Sequence, residues 1–191
     1  MRIPDPQDLH IHTTFSSSDD SLVPEQTLDL VASVRHARVM GCSDHLNDVV
    51  DDFEMYARAV RAHGLRVGTE VDGADWVAKA VGLPVEYYVY HCRDREEDYR
   101  GAATLLATGK PLIIAHPQVL GTNPSRLPQG CLIEINNRYA CRQGSEALLT
   151  SCIGRFEFVI SSDAHQPHWL NQNVARAVAE RLGIRERLLF D

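Results

Sequence analysis

A chain of 191 residues with 44% hydrophobic and 24% charged residues can bury one sizeable core, and that composition excludes a disordered protein. The formal charge of -7 argues against a broad nucleic-acid surface, which needs Lys and Arg, although cations held in an acidic site would offset it locally. Five cysteines, odd in number and without a Cys-x-x-Cys pair, read as reduced thiols. The N-terminus has no apolar leader, and no run approaches the roughly 18 apolar residues of a membrane span. The expectation is one cytoplasmic domain over 1–191 with no membrane association.

The first predicted strand, 7–12, contains Asp8-Leu9-His10-Ile11-His12, and strand alternation gives the two histidines a common face. A polar loop, 13–21, precedes a helix predicted to open at Pro24, with Leu28, Val31 and Val34 on one face. A second strand, 39–42, delivers Asp44-His45. An acid-capped helix from about Asp51 then spaces Phe53, Tyr56 and Val60 before Gly64 stops it. The third strand, 65–71, carries Glu70, a short helix follows around Trp76, and the fourth strand, 85–92, carries His91. After a helix over 96–108, the fifth strand, 112–115, ends in His116-Pro117. The segment 118–129, broken by Pro124 and Pro128, reads as a loop or a single turn. The sixth strand, 131–135, leads to Asn136, and the seventh, 156–160, leads to Ser161-Ser162-Asp163. A helix around 173–182 and a short charged tail helix close the chain.

Strands separated almost throughout by helices imply parallel pairing through right-handed crossovers, hence an α/β fold, a distorted (β/α)7 barrel. Taken singly, His10-x-His12, Asp44-His45, Glu70 and His116-Pro117 each have an ordinary structural explanation, such as a cap, a buried ion pair or a strand end. Together, six of the nine histidines fall at strand ends on the barrel's C-terminal face, where one site can be built from distant positions. Imidazole mixed with carboxylate suits zinc, manganese or iron. His36, His63 and His168 lack that placement, and Cys42 and Cys92 read as small core residues. Asp8 and Asp44 fit either of two parts, orienting ligand imidazoles or capping strand ends.

Asp8-Leu9-His10-Ile11-His12-Thr13, Gly41-Cys42-Ser43-Asp44-His45, Gly68-Thr69-Glu70-Val71-Asp72, Tyr90-His91, Ala115-His116-Pro117, Ile133-Glu134-Ile135-Asn136 and Ser161-Ser162-Asp163-Ala164-His165 follow one another in an order that resembles the PHP (polymerase and histidinol phosphatase) superfamily. The resemblance runs over about 7–185. It implies a distorted (β/α)7 barrel holding two or three divalent transition-metal ions. His10, His12, Glu70 and Asp163 would surround one, and Glu70, His91 and His116 a second. His45 and His165 would join a first-loop acid at a third. That acid is Asp19, with Asp20 as the alternative, because Ser16-Ser17-Ser18-Asp19-Asp20 is longer than the family's usual Ser-Asp-Gly.

The activity implied is a metal-dependent phosphoric ester hydrolase using metal-activated water, a phosphatase on a small phosphomonoester such as histidinol phosphate. Glu70, Asp163 and His165 would be the catalytic residues. Arg138 is the expected phosphate fork and Asn136 a substrate contact, with Arg142, Arg126 and Arg93 as weaker candidates. The alternatives are a phosphodiesterase or exonuclease of the polymerase-associated type, and a noncatalytic metal-stabilised scaffold.

Overall fold

Short apolar runs joined by longer amphipathic segments can pair only in parallel, because each return needs a crossover. The computed structural model describes residues 3–190, the other three of the expected 1–191 domain lying outside them. Among the described residues, seven strands form one sheet in chain order: β1 (Asp5–Asp8), β2 (Ala37–Cys42), β3 (Arg66–Val71), β4 (Tyr87–Tyr90), β5 (Leu112–Ile114), β6 (Leu132–Asn136) and β7 (Glu157–Ser161). Every neighbouring pair is parallel. The helices are α1 (Leu28–Val34), α2 (Leu46–Val49), α3 (Phe53–Ala62), α4 (Val77–Ala80), α5 (Glu96–Leu106), α6 (Pro117–Leu120), α7 (Ser145–Cys152) and α8 (Asn173–Leu182).

The sheet closes on itself between β1 and β7. Near the C-terminal ends, the Asp163 N–H donates to His10 O at 2.8 Å and the His12 N–H to Ala164 O at 2.9 Å. Lower down, the Gln172 side chain bridges the seam, donating to Gln7 O at 2.8 Å and Ile160 O at 2.9 Å. The result is a nearly closed (β/α)7 barrel.

Strand alternation divides the core in two. Tyr88 and Tyr90 of β4, with Ile133 and Ile135 of β6, pack outward beneath the helices. Tyr87, Val89, Ile113, Ala115, Leu132 and Val159 fill the barrel with Leu9. Continuing those inward columns by twos puts His91 above Val89, Glu134 and Asn136 above Leu132, and Asp163 above Val159. Period two thus carries an apolar plug at the bottom of the barrel into a polar site at the top.

Several boundaries differ from the sequence reading. The first helix starts at Leu28 rather than at Pro24, because Thr27 supplies the cap, accepting from Leu30 N at 3.2 Å. Helix α7 has no counterpart among the elements read from sequence. The tail is not a helix: Arg187 N donates to Phe158 O at 2.7 Å and Leu189 N to Gln7 Oε1 at 3.0 Å. Leu189 and Phe190 lie against the barrel interior and cover its lower end. Their partners are remote in sequence, so local charge pattern did not reveal them.

Candidate metal centre

His10 and His12 follow β1, His45 follows β2, Glu70 lies in β3, His91 follows β4, His116 follows β5, and Asp163 and His165 follow β7. All converge at one mouth of the barrel. Three groups have ligand atoms close enough to share an ion: His10, His12 and Asp163; Glu70, His91 and His116; and His12, His45 and His165. Glu70 is central, with Oε1 2.7 Å from His91 Nε2, 3.1 Å from His10 Nε2 and 3.6 Å from His116 Nε2. Its Oε2 lies 2.9 Å from His45 Nδ1 and 3.5 Å from His12 Nε2. Asp19 Oδ2 lies 2.7 Å from His165 Nε2 and 3.2 Å from His45 Nε2. Of the two first-loop acids, Asp19 therefore reaches the centre with both of the expected histidines.

The outer hydrogen bonds fix which ring nitrogen faces inward. His10 Nδ1 lies 2.7 Å from Glu134 Oε1 and His91 Nδ1 lies 2.9 Å from Asp72 Oδ1. A carboxylate only accepts, so these nitrogens carry the protons. His12 Nδ1 is 3.1 Å from Ser16 Oγ, whose own proton goes to Asp44 Oδ1 at 2.7 Å, and the same tautomer follows. The inner Nε2 atoms face one another, 3.0 Å apart for His10 and His12 and 3.1 Å for His91 and His116, with Glu70 between the pairs, and in the neutral imidazoles they carry lone pairs. Such a set of buried imidazoles and carboxylates could hold a cation in place of the protons on His10 and His91, and its borderline donors suit a divalent transition metal.

Electrostatics agree. Burial works against charge on Glu70, yet His91 and His10 hold it well below the usual carboxylate range. Burial also opposes charge on His45 and His91, but Asp19 and Glu70 lift His45 to about 10, while Glu70 and Asp72 lift His91 to about 9. His12 is pushed well down by burial and by the neighbouring His165 and His45, so it stays neutral and available as a ligand. His116 and Asp163 adopt positive φ, 26° and 54°, which L residues rarely do, and such strain gathers at functional sites.

Asp8 serves as a strand-end cap, and Asp44 both caps its strand end and orients His12 through Ser16. Asp44 accepts from the Thr13 N–H at 2.6 Å and its hydroxyl at 2.8 Å, and Asp8 accepts from the Ser162 N–H at 3.1 Å and lies 2.7 Å from His36 Nε2. Asn136 is fully buried, and its amide nitrogen donates to Glu134 Oε2 and Asp163 Oδ2, both at 2.9 Å. It thus positions two carboxylates, and its full burial leaves no surface in the mouth for the expected substrate contact.

Arg138 does reach the mouth. Its Nη1 donates to Asp163 Oδ1 at 3.2 Å, and its guanidinium lies over Trp169 and Tyr139, 4.5 Å and 5.1 Å from the ring centroids. Arg142 lies on Tyr139, whereas Arg93 and Arg126 are engaged by Asp72 and by Asp94 and Glu96. A cleft of about 580 Å³ opens beside His45 and His91, lined also by Ser18, Asp19, Asp20, Asn47, Asp72 and Trp76. Sequence reasoning quoted Glu134 within a motif but gave it no part, and it overlooked Ser16 as the partner of His12. A buried acid two residues before Asn136 on an inward column was the available signal for Glu134.

No family model matches the chain, and no curated protein matches it. Solved structures with a similar fold include the catalytic domain of Thermobifida fusca endoglucanase Cel5A, at 10% identity and TM-score 0.53, covering 94% of this chain and 77% of that one. Another is Xanthomonas albilineans dihydropteroate synthase, at 12% identity and TM-score 0.51, covering 95% and 85%. A third is a truncated Thermotoga maritima 3-deoxy-D-arabino-heptulosonate 7-phosphate synthase, at 10% identity and TM-score 0.50, covering 96% and 75%. At such identities the likeness is one of fold, and on it the chain is a TIM-like (β/α)7 barrel.

Proposed function

We propose that this protein is a metal-dependent phosphoesterase of the PHP kind, acting on a small phosphomonoester. The carrying observation is that Arg138, a bidentate anion donor, lies 3.2 Å from Asp163 at the edge of a site where imidazoles and carboxylates converge on Glu70. A substrate suited to both features presents several anionic oxygens at one atom, as a phosphoryl group does.

His10, His12, Glu70 and Asp163 would hold one ion, Glu70, His91 and His116 a second, and Asp19, His45 and His165 a third. Zinc, manganese or iron held there would supply positive charge against phosphoryl oxygens and make water acidic enough to attack near neutral pH. Arg138 binds a phosphoryl oxygen and orients the ester, while Trp169 and Tyr139 hold the guanidinium in place. His165, beside Asp163 and Asp19, would as a ligand bring the third ion's charge to the departing oxygen, which takes its proton from solvent. The remainder of the substrate occupies the cleft toward Trp76.

The test is phosphate release from a panel of phosphomonoesters by protein reconstituted with each metal, with and without chelator. Chelator-sensitive release from monoesters is expected. Cleavage of diesters or single-stranded oligonucleotides with no monoester turnover would replace this reading with the phosphodiesterase one. No turnover of either class by metal-loaded protein would leave a scaffold.

A further inference from the structure

Glu134 touches both halves of the centre without joining any group of ligands. It is fully buried at the inward column of β6. Its Oε1 lies 2.7 Å from His10 Nδ1, and its Oε2 accepts from the His116 backbone N–H at 2.7 Å and from Asn136 at 2.9 Å. Through Asn136 it reaches Asp163 Oδ2 at one remove.

These contacts do different things. On His10, an acceptor-only partner fixes the proton on Nδ1 and turns the Nε2 lone pair toward Glu70 and His12. On His116, it anchors the backbone at φ 26°, so that Nε2 stands 3.1 Å from His91 Nε2. Of the three candidate clusters, His10 belongs to one and His116 to another. A buried carboxylate kept for stability alone has no reason to divide its two oxygens between two ligand groups.

We infer that Glu134 is a positioning residue shared by two of the three clusters, its two oxygens setting the tautomer of His10 in one and the backbone of His116 in the other. The inference rests on the multinuclear reading of the centre and concerns ion binding rather than turnover. Asp72 offers the contrast, since among the candidate ligands it holds His91, and it is half-exposed.

The experiment compares zinc binding to metal-free wild-type, Glu134→Gln and Asp72→Asn proteins by titration calorimetry. The Gln side chain keeps the shape but turns one acceptor into a donor and removes the charge from the other, so one contact is reversed and the second is weakened. The zinc-binding steps of the His10 and His116 clusters should both weaken in Glu134→Gln, each about 10- to 100-fold, whereas Asp72→Asn should weaken only that of the His116 cluster. A second readout needs no variant: in zinc-loaded wild-type protein, nitrogen NMR should show His10 protonated at Nδ1, with a slowly exchanging proton, and metal-bound at Nε2. Unchanged zinc affinity in folded Glu134→Gln, loss of one step alone, or zinc bound through Nδ1 of His10 would overturn the inference while leaving the centre intact. Binding of less than one zinc by wild-type protein would instead remove the centre itself.

Discussion

On the proposed reading Arg138 is the donor for an anionic substrate, and without substrate its Nη1 lies 3.2 Å from both Asp163 Oδ1 and His165 Nδ1. Stacking on Trp169 and Tyr139 keeps the guanidinium aimed there, so on that reading a phosphoryl group would require little ordering of it. Arg138→Ala should leave metal content unchanged, because no ligand is removed, and should lower kcat/KM by the equivalent of about 1.5 to 3 kcal/mol for a lost charge-assisted hydrogen bond. Steady-state kinetics beside elemental analysis checks this, and weaker inhibition by inorganic phosphate should accompany it. Unchanged kinetics would make Arg138 an anchor for Asp163 only. The candidate ligands were legible in sequence because histidine and acid recur at the ends of apolar runs. The residues that orient them were harder to find, since Glu134 lies 124 positions from His10 and no local spacing relates the two.

Among the elements, β2 and β3 show why glycines precede the candidate ligands. Gly41 and Gly68 both face Tyr87, whose fully buried ring fills the barrel below the centre and whose hydroxyl donates to Cys42 O at 3.2 Å. A Cβ at Gly68 would overlap that ring, and its position in β3, two residues before Glu70, would pass the displacement upward. Gly68→Ala should therefore cost about 1 to 3 kcal/mol of stability by overpacking, read from denaturant unfolding of the metal-free protein. A stability equal to wild type would mean that Tyr87 has room to move. The strands were legible to within a few residues, since alternation and terminal His or Asp marked them. The start of α1 shifted to the Thr27 cap, α7 went unread, and the tail proved extended because Gln7 and the barrel interior receive it. Tertiary partners set those features, and a single chain displays no pattern for them.

At the scale of the molecule, the barrel separates two tasks. Its lower interior is apolar and closed by Leu189 and Phe190, while its upper rim gathers carboxylates and imidazoles close enough to hold metal ions. No helix among the described residues is long and apolar enough to cross a membrane. The formal charge of -7 includes Asp19, Glu70 and Asp163, which ions in the mouth would neutralise. Without metal, His45 and His91, raised to about 10 and about 9, hold protons at neutral pH. Ions must displace those protons, so uptake strengthens as pH rises toward these values. The most direct measurement is a titration of metal-free protein with zinc near pH 7, run in two buffers of different ionisation enthalpy. Saturation at two or three equivalents, with protons released to the buffer, is the predicted result, and saturation below one equivalent would contradict a multinuclear centre.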